Sequence, residues 1–310
     1  MFRNAFRTIA AGLAVICSYG LPTCLVSAAA QTVVVAQPAD AATIHVPRRR
    51  PDDAPQHLQM GSIGELSSDR TIDAELNGAR QADESEWPAS FYAVIGRQTC
   101  TSALIGRQVV LTAAHCVRTG GTIAFTLNSI AYTGDCERHP EYGPDTNPTA
   151  DFALCLVRVP VPAVPLERLG LDPVLLGGPS RPEILLTGFG CATRNPHEKL
   201  DLIYRIGEAQ VIGGPVPPDH FVKVKGGAVV CFGDSGGPGF RIRPGQPRLL
   251  VTVNSMVEPG QTPGFSFVSS LSPAMTQKFL KDWQIKMRQR HPSAQVAICG
   301  LDADASGCRP

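Results

Sequence analysis

Three stretches of the chain bring together the residue types that nucleophilic catalysis needs. "VVCFGDSGGPGF", residues 229–240, sets Ser235 among glycines. A serine hydroxyl is a weak nucleophile until a base takes its proton, and that base needs a third group to fix its tautomer. "VVLTAAHCV" offers the base, His115, just past an apolar run, with Cys116 beside it. "HPEYGPDTNPTADFALCLV" offers the third group, because Asp151 opens an apolar run and its carboxylate would lie at the edge of a buried strand. Burying a carboxylate there is costly unless it is satisfied, and an imidazole N–H is a natural partner. Asp135 and Asp145 are rivals for this role, although turn residues crowd both. Glycines around Ser235 let the backbone aim successive N–H groups at one point, so Gly233 and Ser235 are the expected donors of an oxyanion hole. Taken singly, the three stretches read as a turn serine, a strand-end histidine and a turn aspartate. Together they specify an acyl-transfer site.

The elements that must position these residues are short strands. "SFYAVIG", "TSALIGRQVVLTAA", "TIAFTLNSIAYTG", "FALCLVRV", "EILLTGFG", "HFVKVKGGAVV", "RLLVTVNSM" and "GFSFVSSL" are β-branched or alternating runs separated by Gly, Pro and Asn turns. With 30 Gly, 27 Pro and only 6% aromatic residues, the chain favours turns and short strands over long helices, and an all-β sandwich or barrel is expected from about Trp87 onward. One helix interrupts the pattern. Ser272 is the expected N-cap and Pro273 suits the first turn. Met275, Phe279, Leu280, Trp283 and Met287 form its apolar stripe, and Pro292 stops it.

The ends of the chain indicate export. Arg3 and Arg7 precede an apolar stretch from about Ile9 to Val26, and small residues from Ser27 to Ala30 offer a cleavage site, so residues 1–30 are expected to be a signal peptide. A membrane anchor is the alternative, but Ser18, Tyr19, Gly20, Pro22 and Thr23 interrupt the stretch. Residues 31–76, with "PRRRPDDAP" inside, lack apolar periodicity and read as a disordered linker or pro-segment. A net charge of +1 argues against nucleic acid as a partner, since phosphate binding needs clustered positive charge. Cys17 and Cys24 leave with the signal. Cys100, Cys116, Cys136, Cys155, Cys191, Cys231, Cys299 and Cys308 then form an even set, most simply a disulfide set in a secreted or periplasmic protein. Zinc is the other reading, but no pair shows the short gap of a structural zinc site, and no metal or organic cofactor is expected.

With "LTAAHC", "HPEY" followed by "DFAL", and "GDSGGP" in that order, the chain resembles the trypsin/chymotrypsin-like serine proteases, as a secreted and bacterial member. "TGFGC" is similar to the family's Gly-Trp-Gly turn, with Phe189 for Trp. "FVSSLSPAMTQKFLKDW" is similar to its last strand and closing helix. The resemblance implies two antiparallel six-stranded β-barrels over residues 77–290, a C-terminal helix, and a cleft where His115, Asp151 and Ser235 hydrolyse peptide bonds. Protein or peptide substrates and a monomer are expected. The family pattern implies Cys100–Cys116. Nearness in sequence, with no family partner for Cys231, suggests Cys136–Cys155, Cys191–Cys231 and Cys299–Cys308, the last closing a small loop in a tail over 291–310. The family is usually activated by a cut that frees an α-amine for the Asp before the nucleophile, here Asp234. No Arg-Ile or Arg-Val bond precedes Trp87, so activation is expected to be cleavage somewhere before about Asn77. By family position the pocket floor is Val229, beside Val230, with Met256 or Val257 at the entrance and Gly264 opposite. That lining implies small or medium apolar residues before the scissile bond. A catalytically inactive homologue that binds a protein or glycan is the alternative. The lipases and esterases place their histidine last, against the order here.

Overall fold

A computed structural model of the chain describes residues 79–117, 121–162, 164–177, 182–191, 200–215, 220–257, 265–303 and 305–309. The expected signal peptide, the linker and Gly264 lie outside the described residues. The first barrel is built from β2 (Ser90–Ile95), β3 (Gln98–Gly106), β4 (Val109–Thr112), β5 (Thr122–Leu127), β6 (Ile130–Arg138) and β7 (Ala153–Val157). They close in the order β2-β3-β4-β7-β6-β5, all antiparallel. In β5 and much of β6, buried and exposed residues alternate, which puts one face of the pleat in the barrel and the other in solvent. Phe91 stacks on Phe125 and Phe125 on Tyr132 at centroid distances of 4.1 and 5.2 Å, filling the interior.

The second barrel contains β8 (Glu183–Gly188), β9 (Arg205–Gly213), β10 (Phe221–Lys225), β11 (Pro238–Arg241), β12 (Leu249–Val257) and β13 (Phe265–Ser270). Their order is β9-β10-β13-β12-β11-β8, and the β8–β9 pairing closes the ring. A two-residue strand, β1 (Arg80–Gln81), adds to the edge of β9, so ordered structure begins before Trp87. The core is mostly valine, among them Val211, Val222, Val224, Val251 and Val268. Two closed six-stranded antiparallel barrels are thus the architecture, as the sequence resemblance implied.

Helix α1 (Ala274–Arg290) follows β13 and buries Thr276, Phe279, Leu280, Trp283, Gln284 and Met287. Two expectations need correction. Met275 is 45% exposed, because the first turn enters the core at Thr276, whose hydroxyl lies 2.8 Å from His220 Nδ1. Ser272 does not cap the helix. Its hydroxyl pairs with that of Ser270 at 2.9 Å, and Pro273 holds the N-cap position with no side-chain bond.

The segment after α1 returns to the barrels. Cys299 N–H donates to Ile105 O, and Glu167 N–H, from the segment between the barrels, donates to Leu104 O. Covered in this way, β3 is buried from Cys100 through Gly106 without alternation. Arg248 and Glu167 form an ion pair of zero side-chain exposure beneath it. Arg248 Nη1 also donates to Glu86 O at 3.0 Å, and its guanidinium stacks 3.6 Å from the Trp87 ring centroid. A buried charge that loses its partner keeps the full cost of its lost hydration. Glu167→Ala is therefore expected to destabilise the fold by about 3–5 kcal/mol. Urea unfolding reads this directly, and an unchanged midpoint would show that the pair is not what holds Arg248.

Candidate active site

β4 and β7 pair with Thr112 opposite Ala153. His115 lies just past the end of one strand and Asp151 just before the start of the other, so the register brings them together. Asp151 Oδ1 accepts from the His115 backbone N–H at 2.8 Å, and Oδ2 lies 2.7 Å from His115 Nδ1. The two bonds fix both loop and ring. Asp151 is buried, and a third donor, Ser255 Oγ at the irregular end of β12, reaches Oδ2 at 2.5 Å. The rivals stand apart: Asp145 is exposed, and Asp135 lies 4.0 Å from Arg158 on the surface. Burial alone would lower the His115 pKa, but the charge and hydrogen bond of Asp151 outweigh it and hold the imidazole above its ordinary value of 6.5.

Ser235 sits between Gly233 and Gly236, whose φ angles are +93° and +81°. Only glycine adopts such angles without strain, and a Cβ on Gly236 would lie 2.2 Å from Thr112 Oγ1. The Ser235 hydroxyl and His115 Nε2 are both buried, and neither has a hydrogen-bond partner among the described residues. Cys191 N–H donates to Phe232 O at 2.9 Å. In a trans peptide the C=O and the following N–H point in opposite directions. The Gly233 N–H is thereby turned away from Cys191, and among the described residues it bonds to nothing, as is also true of the Ser235 N–H.

Asp234 points the other way, into the protein. It has no exposure and accepts from Gly190 N–H and Cys231 N–H, each at 2.8 Å. Room for it comes from Gly188 and Gly190, where a Cβ would lie 2.0 and 2.5 Å from Asp234 Oδ1. Burial pushes its pKa up to about 7, against the pull of the two N–H groups and the Arg205 charge.

Disulfides join Cys100 to Cys116, Cys136 to Cys155, Cys191 to Cys231 and Cys299 to Cys308. The first ties β3 to the residue beside His115, and the third joins the segments on either side of Asp234. Val229, Val230 and Val257 are buried in one cluster of the second barrel, and Met256 is half-buried. Val230 N–H donates to Ser266 Oγ at 3.0 Å, and Val257 stands opposite Ser266 across β12 and β13. Sequence reasoning missed Ser255 and Ser266, since nothing in a lone buried serine marks its partner. A cavity of about 480 Å³ lies elsewhere, between β6, β7 and the end of α1, lined by Glu137, Arg158 and His291 among others.

No curated relative matches the chain. Among solved structures it is similar in fold to neuropsin, a serine protease expressed in the limbic system of mouse brain, at 19% identity and a TM-score of 0.50 over 66% of this chain and 98% of that one. The family model named Trypsin matches residues 76–275, a span that takes in both barrels, His115, Asp151 and the Ser235 loop. The chain therefore belongs to the trypsin family and is a serine endopeptidase.

Proposed function

We propose that Ser235, His115 and Asp151 are the catalytic triad of this endopeptidase. The observation that carries the reading is His115 bonded to Asp151 through both its backbone N–H and its ring Nδ1, with Nε2 left unpartnered in the same structure as an unpartnered Ser235 hydroxyl. Ser235 attacks the scissile carbonyl, and its proton passes to His115 Nε2. Asp151 holds the tautomer and balances the imidazolium that forms. The carbonyl oxygen becomes an oxyanion facing the N–H groups of Gly233 and Ser235. His115 then returns the proton to the leaving amine, and water cleaves the acyl-enzyme by the same route.

The protein is read as an exported monomer acting on protein or peptide substrates, with residues 1–30 as signal and 31–76 as a pro-segment removed before about Asn77. Support for activation comes from Asp234. A carboxylate pushed up to about 7 is partly protonated at neutral pH, and a freed α-amine close by would lower its pKa and keep it charged. The proposed pocket is lined by Val229, Val230 and Val257, whose apolar side chains are packed in the cluster of the second barrel. A substrate cation there would lose its hydration with no partner.

Ser235→Ala or His115→Ala is expected to lower kcat by roughly 10⁴-fold, and the double variant to lose no more than either alone. A fluorophosphonate probe should label wild-type Ser235, and wild-type cleavage by Ser235→Ala would sink the assignment. Because the base must be neutral, activity should fall as pH drops through a His115 pKa above 6.5. Asp151→Asn removes what raises that pKa, so the imidazole should then titrate below 6.5 by NMR; an unmoved titration would exclude Asp151 as its cause. Profiling on a peptide library, with the N-terminus of the active protein sequenced in parallel, should give cleavage after Ala, Val or Leu by a chain beginning near Asn77. Dominant cleavage after Arg or Lys overturns the pocket, and full activity from the uncut chain overturns the activation step.

A further inference from the structure

Thr101 lies in β3, next to the cysteine crosslinked beside His115, and has no exposure. Its hydroxyl accepts from Phe189 N–H at 3.0 Å and donates to Gly233 O at 2.7 Å. Its own N–H donates to Ser235 O at 2.9 Å, and its C=O accepts from Thr112 Oγ1 at 3.2 Å. One residue of the first barrel thus grips the carbonyls of Gly233 and Ser235, the two residues whose N–H groups face the oxyanion. The same hydroxyl ties them to the Gly188–Gly190 turn that holds Asp234.

Gly233 is where such a grip matters. Without a Cβ, its two flanking peptide units rotate at little steric cost. Cys191 N–H fixes the unit before it, through Phe232 O, and only the Thr101 hydroxyl bonds to the carbonyl of the unit after it among the described residues. We propose that Thr101 is a positioning residue for the oxyanion hole: its hydroxyl locks Gly233 at the angle that presents the N–H to the developing charge. The proposal rests on the reading of Gly233 and Ser235 as the hole donors.

Valine matches threonine in shape but neither donates nor accepts. Thr101→Val leaves Phe189 N–H and Gly233 O buried without partners, and the cheapest relief is rotation about Gly233. In the protein carrying its native disulfides, assayed on a peptidyl p-nitroanilide ending in Ala, Thr101→Val is expected to lower kcat by about 10–100-fold, short of the loss of a whole donor. KM should stay within about threefold. Affinity for a peptide boronic acid, whose adduct places an oxygen in the hole, should fall by the same factor as kcat. The acid limb of the pH profile should not move, because His115 and Asp151 are untouched. Thr101→Ser restores the hydroxyl and should return kcat to within about threefold of wild type. A purely structural role would lower the melting temperature or the number of labelled sites, yet leave kcat per fluorophosphonate-titrated site unchanged; that result overturns the proposal. If the valine variant does not fold, Thr101→Ala carries the same comparison. A wild-type protein without Ser235-dependent cleavage would remove the catalytic reading itself. That failure is separate, and the Ser235→Ala control reveals it.

Discussion

A carboxylate buried out of reach of water is the constraint around which the site is built. Asp234 has no exposure, and its lone pairs must be met by the protein or the loop would rearrange. Gly190 N–H and Cys231 N–H meet them, and both lie on segments joined by the Cys191–Cys231 disulfide. The carboxylate could not sit there if residues 188 and 190 carried a Cβ. Its backbone is held as well, since Asp234 O accepts from Gly237 N–H and, at 3.2 Å, from Asn254 Nδ2. With Asp234 turned inward and fixed at both ends, the backbone that carries Ser235 has little freedom to move.

Neither barrel holds the site alone. His115 and Asp151 follow from the pairing of β4 with β7, and Ser235 lies on the loop leading into β11. The bonds that join the two parts run in both directions. Ser255 crosses from the second barrel to Asp151, and Thr101 crosses from the first to Gly233 and Ser235. A small rotation of one barrel against the other would stretch both sets at once. Catalytic geometry tolerates little of that, because a misplacement of about 1 Å can cost two orders of magnitude in rate. The Arg248–Glu167 pair, stacked on Trp87, restrains the same junction from another side.

Much of this was legible in the sequence, and what was not has a common cause. Alternation and turn residues mark strands because they report burial along one element, so β5 and β6 could be read directly. The motifs around His115, Asp151 and Ser235 are local and could be read as well. Ser255 and Thr101 could not, because their bonds to Asp151 and Gly233 span 104 and 132 residues. A hydroxyl in a strand looks the same whether it meets water or a distant loop. Met275 failed for a related reason: helical spacing permits either Met275 or Thr276 to face the core, and the position of His220 chose the threonine. The unbroken burial of β3 likewise comes from the returning tail and the inter-barrel segment, which no pattern within β3 announces.

The glycines around Ser235 carry a cost that explains the density of bonds in that loop. Each glycine loses more backbone freedom on folding than another residue would, by roughly 0.5–1 kcal/mol relative to Ala in regular structure. Gly233, Gly236 and Gly237 all lie within two residues of Ser235. A buried hydrogen bond contributes a net of about 0.5–1.5 kcal/mol, so a comparable number of bonds is needed merely to offset that loss. The loop has them. Gly236 N–H donates to Asn254 O, Gly237 N–H to Asp234 O, Thr101 N–H to Ser235 O and Thr101 Oγ1 to Gly233 O. Among the described residues, the N–H groups of Gly233 and Ser235 find no partner. Leaving them unbonded in a buried site sacrifices stability in the resting protein, and under the proposed mechanism an incoming oxyanion recovers it. Donors aimed in advance need no reorganisation when charge develops, and that is where electrostatic catalysis finds its advantage over water.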